Sequence, residues 1–350
     1  MVTGNLGYVG SVLTAQMRRE YSDWSLIGLD SGLFAHCLMP GVPSPDVNLN
    51  FQIFKDLRDI NSDDLTGINA VVHLGAVSND PIGREFEAVT NATNIDALTR
   101  IGSLAKLAGV SKFIFASSCS VYGKNDDGAC SENAEVAPLT TYAKSKIEAE
   151  RFLSRISSPS FQVISLRFAT ACGFSPRWRT DLVLNEFVAD AVESGRLEVL
   201  SDGSPWRPLI HVRDMSRAIL WAIAHRLAEQ QPYLAVNIGS KEWNLQVRDL
   251  AEAVRDSVSG SEIRWNEDGK PDPRSYRVDF SLFEQIAPNH QPRVSLRNAI
   301  NEMVAGLTSS VNLDHLMFNT RRLNEVRKLI DEGLISRDLR WTGKAARGDV

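Results

Sequence analysis

Along most of this chain, short apolar runs alternate with longer stretches whose apolar residues recur at helical spacing. The runs Trp24–Asp30 (WSLIGLD), Ala70–Ala76 (AVVHLGA), Lys112–Ala116 (KFIFA), Phe161–Arg167 (FQVISLR) and Val236–Ser240 (VNIGS) have the length and near-continuous hydrophobicity of strands buried on both faces. Between them lie amphipathic stretches. Ser11–Tyr21 follows the first glycines, and Thr93-Asn94-Ile95 opens a helix that carries Ile95, Leu98, Ile101, Leu104 and Leu107 on one side and stops at Gly109. Thr140–Arg151, Asp181–Val188 and Asn244–Val258, the last with Leu245, Val247, Leu250 and Val254 on one face, read as further helices. Strands alternating with helices of this length predict a parallel sheet covered on both sides, the doubly wound α/β (Rossmann) class.

The alternation loosens after Arg167, where Phe168–Arg179 brings Gly173, Pro176 and the run Arg177-Trp178-Arg179. This divides the chain into a first α/β domain over residues 1–167, a smaller interleaved second domain over 168–310, and a helical C-terminal extension over 311–350. Residues 208–248 return in part to the first domain, through the strand at Val236. In the extension Leu316–Leu329 reads as helix, Leu339-Arg340-Trp341 is expected to pack back on the body, and the terminal TGKAARGDV is expected to be disordered.

With 350 residues, 43% of them hydrophobic and 23% charged, the chain can bury a large core, in one domain or two joined ones. A net charge of −5 supplies no general basic field, which excludes a nucleic-acid or anionic-membrane binder of the electrostatic kind. No apolar run approaches the ~20 residues of a membrane span. Cys37, Cys119, Cys130 and Cys172 lack the spacing of a disulfide framework or a metal site, so reduced thiols, no metal and a cytoplasmic setting are expected.

Candidate chemistry begins at the N-terminus. Gly4, Gly7 and Gly10 have the spacing that lets backbone come close to a pyrophosphate seated on the positive end of the following helix. Asp30 closes the next strand twenty residues beyond Gly10, where a carboxylate accepts both ribose hydroxyls and repels a 2′-phosphate, favouring NAD over NADP. Because only three residues precede Gly4, further residues are expected ahead of Met1 in the native chain. Ala76 ends a strand in small residues that leave room for a cofactor.

Tyr142 and Lys146 lie four apart on one helical face, so an ammonium there is expected to lower the phenol's pKa and make it an acid/base group near neutrality. Ser117, Ser118 and Ser120 follow the Lys112–Ala116 strand, and a hydroxyl at that point can hold a substrate oxygen. His73 reads as a core histidine, His211 as structural, and Arg213 and Arg277 as surface ion-pairing residues.

Together TGNLGYVG, Leu29-Asp30, SSCSVYG and YAKSK resemble the extended short-chain dehydrogenase/reductase family, in particular its nucleotide-sugar epimerases and dehydratases of the UDP-galactose 4-epimerase type, over about the first 300 residues. The resemblance implies a Ser118–Tyr142–Lys146 triad, with Asp59 and Ile60 bordering the adenine of NAD and Asn94 behind the catalytic helix. It also implies that Asn185 contacts the diphosphate of a nucleotide sugar and that Arg207 binds its phosphate. Thr170 stands where epimerases often have Asn, and Pro208 where the arginine motif usually has an acid. Arg274 is a second candidate, since guanidiniums from separate loops can grip phosphate oxygens.

A 4,6-dehydratase of this family carries an Asp-Glu pair directly after the triad hydroxyl; here Cys119 and Ser120 stand in those places, which speaks for C4 epimerisation. A nucleotide-sugar 4-dehydrogenase or ketoreductase remains open, as does a non-catalytic dinucleotide-binding regulator. The family's habit implies a homodimer.

Overall fold

In the computed structural model, which describes residues 1–78, 80–125, 128–266, 274–309 and 321–343, seven strands form one parallel sheet. Their order across the sheet is Tyr233–Ile238, Gln162–Phe168, Lys112–Ser118, Ala70–His73, Val2–Thr3, Ile27–Asp30 and Phe51–Phe54. The chain starts at Val2–Thr3, winds outward through Ile27–Asp30 to Phe51–Phe54, then crosses back to Ala70–His73 on the other side of its starting strand. Loops leaving these neighbours diverge, and a crevice opens at their carboxyl ends, the usual ligand position in such sheets.

Successive side chains point to opposite faces of a strand. Val72, Ile114 and Ile164 therefore pack into one core with Leu13 and Met17 of the helix Tyr8–Glu20 and with Ala218, Ile219 and Ala222 of the helix Val212–Ala224. Their neighbours Val71, Phe113 and Val163 pack on the opposite face with Leu98, Ile101 and Ala105 of Ala97–Leu107 and Leu153 of Thr141–Ile156. A separate core joins Leu184 and Val188 of Val183–Ser194, Leu250 and Val254 of Val247–Ser257, and Ile300 and Met303 of Leu296–Thr308.

Several elements differ from the expectation. Phe51–Phe54 is an edge strand whose two phenylalanines are largely exposed, so it lacks the apolar pattern of a covered strand. Asn244–Val258 divides into the strand Asn244–Gln246 and the helix Val247–Ser257, because Gln246 and Asp249 form a capping box that fixes the helix start. The helix expected from Thr93 begins with a wide turn over Ala92–Asp96, of the π type, before regular α-helix from Ala97.

After the Leu296–Thr308 helix, the chain is next described at Arg321 and forms the helix Arg322–Asp331. Val326, Leu329, Ile335 and Leu339 there pack against Ile82, Phe86 and Val89 in a fourth cluster. Expected helix over 316–320 and expected disorder over 344–350 lie outside the described residues, as do residues 270–273 ahead of Arg274. Among the described residues no helix is long and apolar enough to cross a membrane.

Candidate functional site

A cleft of about 1090 Å³ opens at the carboxyl ends of the sheet. Gly4, Gly7, Gly10, Asp30, Ala76, Ser118, Tyr142, Lys146, Thr170, Arg207 and Arg274 all line it.

At its floor the glycines are required by contact. Gly4 has φ +72°, and a Cβ there would stand 2.7 Å from the Gly75 nitrogen; a Cβ on Gly10 would stand 2.4 Å from the Gly4 carbonyl oxygen. Gly7 caps the helix Tyr8–Glu20 with no side-chain hydrogen bond and no acid in its first turn, which leaves a positive helix end facing the cleft. Asp30 accepts from the backbone N–H groups of Leu6 at 3.2 Å and Gly32 at 2.8 Å, while burial raises its carboxyl pKa. This cradle and carboxylate suit the diphosphate and ribose of a dinucleotide.

Two expected adenine neighbours are placed elsewhere. Asp59 turns away to pair with Arg340 at 2.5 Å, and Ile60 is fully buried in the core behind the sheet edge. Asp56, Leu57 and Arg58 line the cleft instead, because the 3-10 turn Leu57–Asp59, capped by Asp56, points those side chains inward. Asn94 does stand behind the Tyr142 helix: its amide accepts from Val77 N–H at 2.8 Å and donates to the Val77 carbonyl and to Ser145 Oγ, a reach made possible by the wide π turn.

Thr140 caps the helix Thr141–Ile156 by accepting from Ala143 N–H, and Tyr142 and Lys146 follow on one face. Lys146 Nζ donates to the Ala116 carbonyl at 2.7 Å and lies 4.6 Å from the Phe115 ring centre and 5.2 Å from that of Tyr142. Burial pushes the ammonium down to about 7 and the phenol up to about 12. The expected lowering of the phenol by Lys146 is therefore not met. Desolvation dominates, and the strongest opposing influence is the guanidinium of Arg179, with a smaller one from a hydrogen bond with Ser118.

Three neighbouring serines separate by partner. Ser117 donates to Glu150 at 2.5 Å, inside a buried network where Glu150 also grips Arg167 at 2.7 Å. Ser118 caps the turn Cys119–Tyr122, lies 2.9 Å from Ser120 Oγ and bonds to Tyr142. Cys119 is fully buried, donates to the Arg167 carbonyl at 3.0 Å and, through that burial, has its thiol pKa raised. No carboxylate thus adjoins Ser118 in the chain.

On the far wall, Asn185 is withdrawn from the role expected of it. It is fully buried and does not line the cleft; its amide is taken up by Gly173 N–H, the Tyr8 hydroxyl and the Arg179 carbonyl. Arg207 is on the wall, donating to the Trp206 carbonyl, and Arg274 reaches across to Asp80 at 2.7 Å. His73 is a core residue bonded to Thr3, its pKa lowered to about 3 by burial, and His211 caps the helix Val212–Ala224. Arg213 pairs with Glu302, and Arg277 stacks on Trp206 with no ion pair among the described residues.

Among the cleft residues absent from the sequence-based set are Arg179, Asp80 and Arg322. Arg179 is held by both oxygens of Asp181, at 3.0 and 2.6 Å, and the arginine run after Gly173 was its only signal. Asp80 and Arg322 had none, since Arg322 arrives from a segment far along the chain. Among the described residues no group of three His, Cys, Asp or Glu side chains is placed to hold a metal ion.

The model of the NAD dependent epimerase/dehydratase family matches residues 1–239. An uncharacterized UDP-glucose epimerase, YtcB of Bacillus subtilis, is 26% identical over 331 residues, covering 88% of this chain and 98% of the relative. The UDP-glucose 4-epimerase of Mycolicibacterium smegmatis is 25% identical, covering 87% of this chain and 96% of its own length. Among solved structures, MoeE5 in complex with UDP-glucuronic acid and NAD superposes with a TM-score of 0.75 at 25% identity, covering 88% of this chain and 98% of that one.

Proposed function

The chain belongs to the NAD dependent epimerase/dehydratase family, and on that premise we propose that it is an NAD-retaining nucleotide-sugar epimerase that inverts C4 through a transient 4-keto sugar, with Tyr142 as the acid/base. NAD is the cofactor, and a nucleotide sugar is the substrate class. When bound, the dinucleotide supplies a hydride acceptor and later the donor.

The observation that carries the reading is the meeting of Ser118, Tyr142 and Lys146 in the same cleft as the glycine cradle and Asp30. Ser118 would hold the C4 oxygen while Tyr142 takes and returns its proton. A phenol raised to about 12 is protonated at neutral pH, so proton removal depends on the groups that oppose desolvation; the charge of Arg179 lowers it, and the hydrogen bond with Ser118 lowers it further. Once the sugar is oxidised, inversion needs only that the keto sugar turn over before hydride returns. Dehydration would need a further acid and base beside Ser118, and Cys119, buried and thiol-protonated, supports its absence.

Gly4, Gly7, Gly10, Asp30 and Ala76 are proposed as cofactor contacts, with Asn94 positioning the catalytic helix. Arg207 and Arg274 are proposed at the nucleotide-sugar phosphates on the lobe built around the second core. Four buried cysteines that form no disulfide among the described residues favour a reducing, cytoplasmic setting, and Leu107, 84% exposed on the helix Ala97–Leu107, suits a homodimer face.

The test is a panel of UDP-, GDP-, CDP-, ADP- and dTDP-sugars, uronic acids included because Arg179 stands beside Tyr142, with products identified by NMR. Inversion without added nicotinamide supports epimerisation; growth of reduced-cofactor absorbance in step with product would move the assignment to a dehydrogenase or ketoreductase. Tyr142→Phe is expected to reduce turnover by about 100-fold or more, the scale of a lost acid/base group, while still binding nucleotide sugar. Binding of dinucleotide and sugar nucleotide with no turnover of any panel member would favour the regulatory reading.

A further inference from the structure

The C-terminal segment reaches the cofactor end of the cleft, and one of its buried charged residues has no counterpart in the motifs that define the site. Arg322 is 4% exposed, yet it lines the cleft. Its guanidinium lies 4.2 Å from the ring centre of Phe34, in the loop that follows Asp30, and its Nη1 has no hydrogen-bond partner among the described residues. A buried guanidinium N–H left unmatched is costly and uncommon, and a cleft wall is where a ligand can match it.

Three observations direct this donor to the cofactor side. Asp30, the carboxylate placed for the adenosine ribose, feels the charge of both Arg322 and Arg177. Arg177 is 1% exposed and has Nε and Nη1 unmatched among the described residues. The rest of the segment is fixed to the same end: Trp341 Nε1 donates to the Ser31 carbonyl at 2.8 Å, His36 bonds to Glu325 at 2.7 Å, and Arg340 pairs with Asp59. Arg179 nearby is already held by Asp181 on two nitrogens, whereas Arg322 keeps a donor nitrogen unmatched among the described residues.

We propose that Arg322, delivered by the C-terminal segment and braced on Phe34, is a cofactor-binding residue that donates to the diphosphate of the bound dinucleotide. The glycine loop and helix end would then hold one side of that diphosphate by backbone N–H groups, and Arg322 the other by a charge-assisted bond. The inference rests on the dinucleotide site and is independent of which sugar carbon reacts.

The experiment uses the full chain. Nucleotide retained after repeated dilution is measured for the parent protein, Arg322→Gln, Arg322→Lys and, as a control on the same segment, Arg327→Gln, whose exposed partner is Glu85. After stripping of nucleotide, affinities for ADP, adenosine and UDP are compared. Arg322→Gln is expected to shed NAD and weaken ADP about tenfold or more, the scale of one charge-assisted bond. Adenosine and UDP should change less than about twofold, Arg322→Lys should fall between, and Arg327→Gln should match the parent. Unchanged adenosine binding also certifies that the variant is folded. Equal loss of ADP and adenosine would mean a merely structural role, loss of UDP alone would assign the residue to the sugar nucleotide, and no change would leave it without a ligand; each of these overturns the proposal.

Discussion

Lys146 shows how a residue proposed for the chemistry can strain the fold that holds it. Its ammonium titrates near 7 in the folded, nucleotide-free chain against 10.5 when unfolded. Between those values the unfolded chain holds a proton that the folded one lacks, so this group makes stability rise with pH from about 7 to about 10.5, and its burial penalty is full below 7. Lys146→Met should therefore gain stability over the parent at pH 6 and lose that advantage by pH 10, read from urea midpoints. The lost bond to Ala116 is common to both pH values and cancels in the comparison. A difference that does not vary with pH would contradict the assignment. Glu150 is the converse case. It holds buried Arg167 and Ser117 beneath the site, and Glu150→Ala should cost about 3–5 kcal/mol by stranding the guanidinium; a urea-melt loss below about 1 kcal/mol would mean that water reaches Arg167. Tyr142 and Lys146 were legible in the sequence because four-residue spacing fixes a shared helix face. The sign of the phenol's shift was not, because it depends on desolvation and on Arg179, which spacing does not reveal.

Helices and strands that touch the site follow the same logic. Glycine spacing identified the Tyr8–Glu20 helix end because only glycine tolerates the Gly4–Gly10 approach, and Gly10→Ala should push the loop apart and abolish NAD retention while the sheet stays folded. Local pattern failed where an element's role is set by distant partners. Asn185 sits on the expected helix, but the Tyr8 hydroxyl and Gly173, far away in sequence, consume its amide. Asp59 was drawn off by Arg340, 281 residues later. The C-terminal segment is held mainly by its apolar cluster, with Leu329 4% exposed. Leu329→Asp should undock residues 321–343 and open them to protease while circular dichroism of the body is kept; Arg327→Gln, at an exposed pair, should leave the melting midpoint unchanged. Protection of the segment in Leu329→Asp would mean that its polar contacts suffice to hold it.

At the scale of the molecule, the sheet order explains why chemistry gathers in one place. The order reverses between Val2–Thr3 and Ala70–His73, so the glycine loop, the Asp30 loop and the small residues at Gly75 and Ala76 converge, and the strand ending at Ser118 lies one place further on. Alternating apolar runs made that architecture readable, and the return of Tyr233–Ile238 to the sheet was visible as one more apolar run. Which carbon reacts is the central claim, and the fate of one hydrogen tests it most directly. A UDP-sugar carrying deuterium at C4 is incubated with the purified chain in ordinary water with no added nicotinamide, and the product is read by NMR. The account predicts the C4 epimer with deuterium still at C4. Inversion with deuterium washed out into water, or no inversion at C4 of any nucleotide sugar in the panel, would contradict it.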